Sequence, residues 1–545
     1  MSSTIASSPG KVLLAGGYLV LDPVYSGVVV STSARFYTAV KDLDEAETIA
    51  RARAGRPVQI RVRSPQFVDA TWLYFVSFDV DGVRVEQVAD NASTSSSKNK
   101  FVHLALQRTL ALAHQVLGEG TLQNKLAYGL DITIVGDNDF YSQRAQLASK
   151  NLPPTLASLA QLPPFSTTGV RLPEVHKTGL GSSAALITSL VSSLLVHVGA
   201  IPRDSFENDT EGGKETASAG RRLAHNLAQY VHCLAQGKVG SGFDVSAAVF
   251  GSQIYTRFDP AVLQPLMADD SVSPIRLTPV EPKLIQHVQA TGPPPLPHIS
   301  HENPAWDYRV EPFRLPPLTR LMLADVDAGS DTPSLVGKVL KWRKEDSVTA
   351  NALWDALNNV NRALSAALLK LAKMYEQNTA AYVKAVKYLS TLQTVQWLAI
   401  NPNLAPADQE IMEAFAEVHQ LSEASVLAIS RVDIRAKMRE MGNLSGVPIE
   451  PPEQTKLLDG CVAGAGVIGG GVPGAGGYDA IWLLVLDPLN CPPAELPSSR
   501  VERAWTNWKG LDVSPLSASE SVAKGVRLEE AAQVPGLQAL IDAPW

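Results

Sequence analysis

Lys177-Thr178-Gly179-Leu180-Gly181-Ser182-Ser183-Ala184-Ala185 is the stretch whose reading decides the fold. It runs directly into the uncharged apolar segment Leu186 to Val198, a pattern that predicts a buried helix. A glycine turn feeding a helix leaves backbone N–H groups free at its positive end, where a phosphate is held with little help from side chains. No Gly-Lys-Ser/Thr closes the run, so it is not a Walker loop. A glycine turn with a serine cap opening a core helix fits the same nine residues. The rest of the chain has to choose between the two.

With 545 residues, the chain has room for two or three domains with real cores. It is 45% hydrophobic and 19% charged, which describes a globular rather than a disordered protein. A formal net charge of −7 argues against general nucleic-acid binding, and it means that a polyanionic substrate must meet a local positive cluster. Three separated cysteines (Cys233, Cys461 and Cys491) imply neither a disulfide framework nor a zinc site. A reducing, cytoplasmic setting is expected. The apolar run Val12 to Leu21 is interrupted by Gly16-Gly17 and ended by Asp22, unlike a secretory signal. Ala184 to Ile201 approaches the length of a membrane span, but Thr188, Ser189, Ser192, Ser193 and His197 within it favour a helix buried in protein. No membrane, nucleic-acid or protein partner is implied.

Strand-prone runs occupy Lys11 to about Val40 and Val58 to Val88, and helical spacing appears at Phe101 to Leu117 and Glu215 to Gln236. Residues 259–318 are rich in proline and aperiodic, a candidate domain junction. Leu321 to Val326 then reads as a buried strand. Helical patterns follow at Pro333 to Trp342, Val348 to Met374, Thr379 to Ala399 and Ala407 to Met441, before a glycine-rich region leads into the strand Ala480 to Leu486. Strands and helices mix without a regular βαβ repeat, so the expected class is α+β.

Three further segments carry possible chemistry. In Ser8-Pro9-Gly10-Lys11-Val12, a lysine heads a strand that is otherwise apolar; it is either functional or a snorkelling edge lysine. In Gly237-Lys238-Val239-Gly240-Ser241-Gly242-Phe243-Asp244, the glycines permit close backbone approach, and Asp244 is either functional or a helix cap. The third is Gly471-Val472-Pro473-Gly474-Ala475-Gly476-Gly477-Tyr478-Asp479, where side chains are absent over many positions. Gly464-Ala465-Gly466-Val467-Ile468-Gly469 spells the dinucleotide fingerprint, but more glycines follow where a helix should open.

Taken in this order, the four segments resemble the GHMP kinases, the superfamily of galactokinase, homoserine kinase, mevalonate kinase and phosphomevalonate kinase. Lys11 to Asp22, Gly237 to Asp244, Ile449-Glu450-Pro451-Pro452 and Pro473 to Asp479 are most similar to the fungal-type phosphomevalonate kinases. Mevalonate kinases usually read Gly-Glu-His where this chain has Gly16-Gly17-Tyr18. The resemblance implies a two-domain α+β enzyme with its active site in the interdomain cleft. The domains would cover 1–262 and 306–545, with a proline-rich linker or insertion at 263–305. It implies ATP and Mg2+ as cofactors and 5-phosphomevalonate as acceptor. Lys177, Thr178, Gly179, Leu180, Gly181, Ser182, Ser183, Ala184 and Ala185 would wrap the ATP phosphates, with Ser183 the metal contact. The Gly474-Ala475-Gly476 loop would close on the acceptor, and Lys11, Tyr18, Arg144, Lys238 and Ser241 are further acceptor candidates. Arg144 and Lys238 fit solvated surface charges equally well.

In relatives that phosphorylate a hydroxyl, an aspartate matching Asp244 is proposed as the base, beside a lysine matching Lys11. A phosphate acceptor has a second pKa near ~6 and is mostly ionised at neutral pH, so it hardly needs a base. Lys11 is then expected to be the main electrostatic group, and Asp244 an orienting one. Mevalonate kinases also carry a metal-binding glutamate on the preceding helix, whereas Gln229 to Gln236 here holds His232 and Cys233 but no acid. The competing readings are another GHMP kinase, acting on mevalonate or a sugar, and a non-catalytic ligand sensor on the same fold.

Overall fold

The computed structural model describes residues 3–43, 57–79, 82–88, 98–207, 209–211, 214–216, 218–268, 306–326, 332–397, 405–423 and 433–543. Among them, the long strand Ser26–Asp42 organises the first half. It pairs antiparallel with Thr4–Ala15, Leu130–Gly136 and Gln253–Thr256. Val58–Arg63 joins Leu130–Gly136 in parallel, and Thr71–Asp79 and Gly82–Gln87 continue the sheet. Helices Lys100–Leu117, Ser182–His197 and Phe243–Phe250 pack on the sheet, and Ala219–Gln236 packs on those three.

The uncharged run is a central buried helix. Its hydroxyls are used inside the protein: Ser189 Oγ lies 2.9 Å from Thr38 Oγ1, and Ser193 donates to the Thr38 carbonyl at 3.1 Å. Such pairing lets polar side chains sit in a core. No described helix is long and apolar enough to cross a membrane.

A second, antiparallel sheet runs in the order Val467–Gly471, Ala480–Leu486, Thr319–Val326, Val513–Leu516. Helices Ser347–Gln377, Thr379–Leu389, Pro406–Ser422 and Ile434–Ser445 pack together beside it. One apolar cluster extends from Val30 and Leu190 in the first half to Trp482, Leu484 and Phe415 in the second. Arg309–Pro312 and Arg527–Leu528, both within the range expected for the second domain, pair with strands of the first sheet. Most of the 263–305 segment lies outside the described residues.

Most local readings hold in type and shift in extent; the exceptions are Gly17–Leu21, a 3-10 turn inside the expected strand run, and Lys214–Thr216, a short strand at the expected start of the helix from Glu215. The helix expected from Glu215 starts at Ala219, because Ser218 Oγ accepts the Arg221 N–H and caps it there. The periodic stretch from Ala407 contains two helices, Pro406–Ser422 and Ile434–Ser445. Thr379–Leu389 ends before the expected Ala399, and residues 398–404 lie outside the described set. Helix Pro452–Val462 is not among the expected elements, although Pro452 in its first turn is a starting signal. The apparent fingerprint at Gly464–Gly469 lies on the exit of that helix and the strand Val467–Gly471, with no helix after it.

Candidate active site

The first sheet aims Lys11 by a register shift. Between Pro9 and Lys11 the pairing of Thr4–Ala15 with Ser26–Asp42 slips, and such an irregularity redirects the next side chain. Gly10 makes the slip possible: a Cβ there would lie 2.8 Å from both the Leu180 carbonyl and Thr32 Oγ1. The strand thereby lies against the glycine motif, and the Lys11 N–H donates to the Leu180 carbonyl at 2.9 Å. Lys11 Nζ donates to the Gly179 carbonyl at 2.8 Å and lies 5.5 Å from the Phe243 ring centroid. Burial lowers its ammonium pKa, and the charge of Asp244 pulls in the opposite direction.

Gly181, at φ +78°, is the cap of helix Ser182–His197, and no side chain caps the first turn. The serine-cap alternative therefore fails: Ser182 is the first helical residue, and the first-turn N–H groups are available to an anion. Asp244 is likewise not a cap. Gly242, at φ +83°, fills that position, and Asp244 sits within the first turn of Phe243–Phe250. The 237–242 turn is held from outside. Arg257 donates to the carbonyls of Leu21 and Gly240, and to that of Val239 at 3.1 Å, while the Tyr255 hydroxyl donates to the Ser241 carbonyl at 2.9 Å.

The third glycine segment arches over from the second sheet. Gly476, at φ +77°, lies so close to Ile449 that a Cβ would come within 2.1 Å of its carbonyl oxygen, and the Gly477 N–H donates to that oxygen at 2.9 Å. Tyr18 reaches across from the first half, and its hydroxyl donates to the Ala475 carbonyl at 2.6 Å. Burial raises the Tyr18 pKa, so the phenol stays a donor.

These segments enclose a cavity of about 360 Å³, within the size range of small-molecule sites. Lys11, Tyr18, Lys177, Gly179, Gly181, Ser182, Ser183, Lys238, Ser241, Asp244, Gly474, Ala475 and Gly476 all line it. Thr178, Leu180, Ala184 and Ala185 do not: Thr178 bonds the Asp139 carbonyl and the other three are core residues. Arg144 does not line it either. Its guanidinium donates to Asp325 Oδ2 at 2.8 Å and meets Asp512 at 3.3 Å, so it ties the two halves together. Burial also lowers the Lys177 ammonium.

His232, on the helix before the aspartate turn, lies among the site groups. Its Nε2 is 3.1 Å from Ser183 Oγ, 3.1 Å from Gln236 Nε2 and 3.8 Å from Asp244 Oδ2. Among the described residues, no group of three or more His, Cys, Asp or Glu is placed to hold a metal. The hydroxyl and carboxylate oxygens that line the cavity and could meet a hard cation include those of Ser183, Asp244 and Asp479. That small oxygen set suits Mg2+, which fills its remaining positions with phosphate oxygens and water.

A glycine-capped helix end, a half-buried lysine and a facing glycine loop thus meet at one cavity in an α+β scaffold. The fold is shared with solved structures: a Listeria innocua protein, Lin0012, superposes with a TM-score of 0.55 at 14% identity, covering 97% of this chain and all of that one. The Streptococcus pneumoniae phosphomevalonate kinase superposes at 0.50 and 13% identity, covering 96% of this chain and all of that one. No protein-family model matches the chain. Curated relatives are closer in sequence. The Arabidopsis thaliana peroxisomal phosphomevalonate kinase is 38% identical over 496 residues, 89% of this chain and 90% of its own. That of Gibberella zeae is 36% identical over 534 residues, 96% of this chain and 97% of its own. The chain belongs to the phosphomevalonate kinase family.

Proposed function

We propose that the cavity transfers the terminal phosphoryl group of ATP to a phosphate oxygen of 5-phosphomevalonate, giving the diphosphate and ADP. The observation that carries this is the convergence of the uncapped helix end, Lys11 and the 474–476 loop on one cavity. Lys177, Gly179, Gly181, Ser182 and Ser183 hold the donor phosphates, and the first-turn N–H groups supply most of the contact. Lys238, Ser241, Tyr18 and the loop hold the acceptor. Lys11 lies between them and stabilises the charge that builds on the transferring group. The acceptor oxygen is already ionised, so no proton has to be removed, and Asp244 orients Lys11 through its charge. Ser183 and Asp244 are the residues that would hold Mg2+, which supplies charge neutralisation when bound.

The relatives' names support this acceptor, and the pneumococcal enzyme was solved with phosphomevalonate and an ATP analogue. ADP release measured with phosphomevalonate, mevalonate, galactose and homoserine is the direct test. Release with phosphomevalonate alone is expected. Release with another acceptor overturns the assignment, and nucleotide binding without release from any acceptor identifies a sensor. A cytoplasmic address remains the proposed one, although the Arabidopsis relative is named peroxisomal.

A further inference from the structure

The Ile449-Glu450-Pro451-Pro452 phrase has no part in the transfer described above, yet Glu450 is 7% exposed and intensely paired. Arg435 clamps it with two nitrogens, Nε to Oε2 at 3.0 Å and Nη2 to Oε1 at 2.6 Å. Arg439 Nη1 adds 2.7 Å and Thr455 Oγ1 adds 3.0 Å, both to Oε1. The remaining Arg435 nitrogen, Nη1, reaches Glu423 Oε2 at 2.5 Å, and Asp459 Oδ1 lies 2.9 Å from Nη2 at the outer edge. Glu423 is buried, and its Oε1 accepts the Gly470 N–H at 2.8 Å. Burial alone would raise the Glu450 carboxyl, but its two arginines outweigh that and hold it low. Glu423, with fewer donors, is pushed up by burial to about 7.

What these carboxylates touch gives the network a purpose. Gly470 belongs to the strand that enters the 472–477 loop. Ile449, bonded to Glu450 in the chain, receives the Gly477 N–H where the loop leaves. Arg435 thus ties together the two groups that fix the two ends of one loop. A narrow cavity of about 30 Å³, lined by Arg435, Glu450, Gly470, Gly474, Gly16 and Gly17, joins the network to the loop. Buried ion pairs are poor devices for stability alone, because well-packed apolar residues do as well. A fork that fixes two distant segments at once does what apolar packing does not.

We propose that Arg435, through Glu423 and Glu450, is a positioning residue that sets the height and pitch of the 472–477 loop over the acceptor. It acts on the acceptor half of the site and leaves the donor half alone. This rests on the reading of the loop as the acceptor-binding element.

The test is steady-state kinetics of the full chain with ATP and phosphomevalonate. Arg435→Lys keeps the charge but lacks the fork, so it cannot hold both carboxylates. Displacing a binding element by an ångström costs up to about 10²-fold, so the acceptor KM is expected to rise roughly tenfold or more while the ATP KM stays within about twofold. Glu450→Gln, which keeps the shape but removes the charge and turns one of the two accepting oxygens into an NH2 donor, should move the acceptor KM in the same direction and carries the test if Arg435→Lys does not fold. Gly474→Ala separates the two layers of inference: its φ of +66° strains any side chain, so it perturbs the loop without touching the network. If Gly474→Ala raises the acceptor KM but Arg435→Lys and Glu450→Gln move both KM values equally, or neither, the positioning role is wrong. If Gly474→Ala also leaves the acceptor KM unchanged, the loop reading falls and takes the positioning role with it.

Discussion

Lys11→Met is the sharpest test of the proposed chemistry. The stem of Lys11 lies beneath Gly181, whose absent Cβ would be 3.1 Å from Lys11 Cε, so methionine keeps the packing and removes the charge. A unit charge about 4 Å from a phosphate charge contributes about 4 kcal/mol at an effective dielectric near 20. Removing one preorganised donor from a developing anion costs about 10²–10³-fold in turnover. The two estimates agree, and kcat is expected to fall by that factor with the melting temperature nearly unchanged. Asp244→Asn is expected to retain measurable turnover, because an acceptor with a second pKa near ~6 is already about nine-tenths ionised at pH 7. Asp244 instead raises the Lys11 ammonium against burial. In Asp244→Asn burial acts unopposed, the Lys11 pKa falls further, and the alkaline limb of the kcat profile moves to lower pH. ADP release followed from pH 6 to 10 reads both effects. The reasoning is refuted if both variants collapse equally with fold and nucleotide binding intact, and the wild-type profile shows an acid limb that Asp244→Asn abolishes.

Three smaller perturbations probe the frame around this chemistry. Tyr18→Phe removes the bond to the Ala475 carbonyl; a net ~1 kcal/mol corresponds to about a fivefold rise in acceptor KM, and an unchanged value would show that the latch does not matter. Gly10→Ala forces a Cβ to 2.8 Å from the Leu180 carbonyl, an overpacking of about 1–3 kcal/mol by chemical denaturation, with loss of kcat as Lys11 is displaced; full stability with normal turnover would contradict the close-approach argument. Ser183→Ala should raise the half-saturating Mg2+ concentration roughly tenfold at unchanged acceptor KM; an unaltered Mg2+ requirement removes Ser183 from the metal site.

The parts of the site legible in the sequence are those whose chemistry needs neighbouring residues. The proposed phosphate turn is contiguous, so Gly179 to Ser183 shows itself, as does the 474–476 loop. What depends on long-range geometry stays hidden. Arg144 is a lone arginine in sequence; only its partners 181 and 368 positions away make it an inter-half tie. Arg257 secures the 237–242 turn and Leu21, 236 positions apart from it, and nothing local marks it. His232 needs Ser183, 49 positions away, to become part of the site. Fold class follows from the mixed local patterns. The return of Arg527–Leu528 to the first sheet does not, because pairing between distant strands leaves no trace in either strand's own periodicity.

The net charge of −7 and the two polyanionic ligands are reconciled by where the cations sit. Lys11 is half-buried and Lys177 more exposed at the same cavity, and the protein around them lowers both ammonium pKa values. A phosphate meeting Lys11 there is screened less by solvent than one bound on the open surface, because the side chain is half-buried. The helix end adds fixed dipoles that need no reorganisation. A surface rich in lysine would attract the same anions without orienting them. In the proposed reaction, a few cations lining one cavity beside a helix end without a side-chain cap hold two mutually repelling groups in line, which is the requirement that phosphoryl transfer between phosphates imposes.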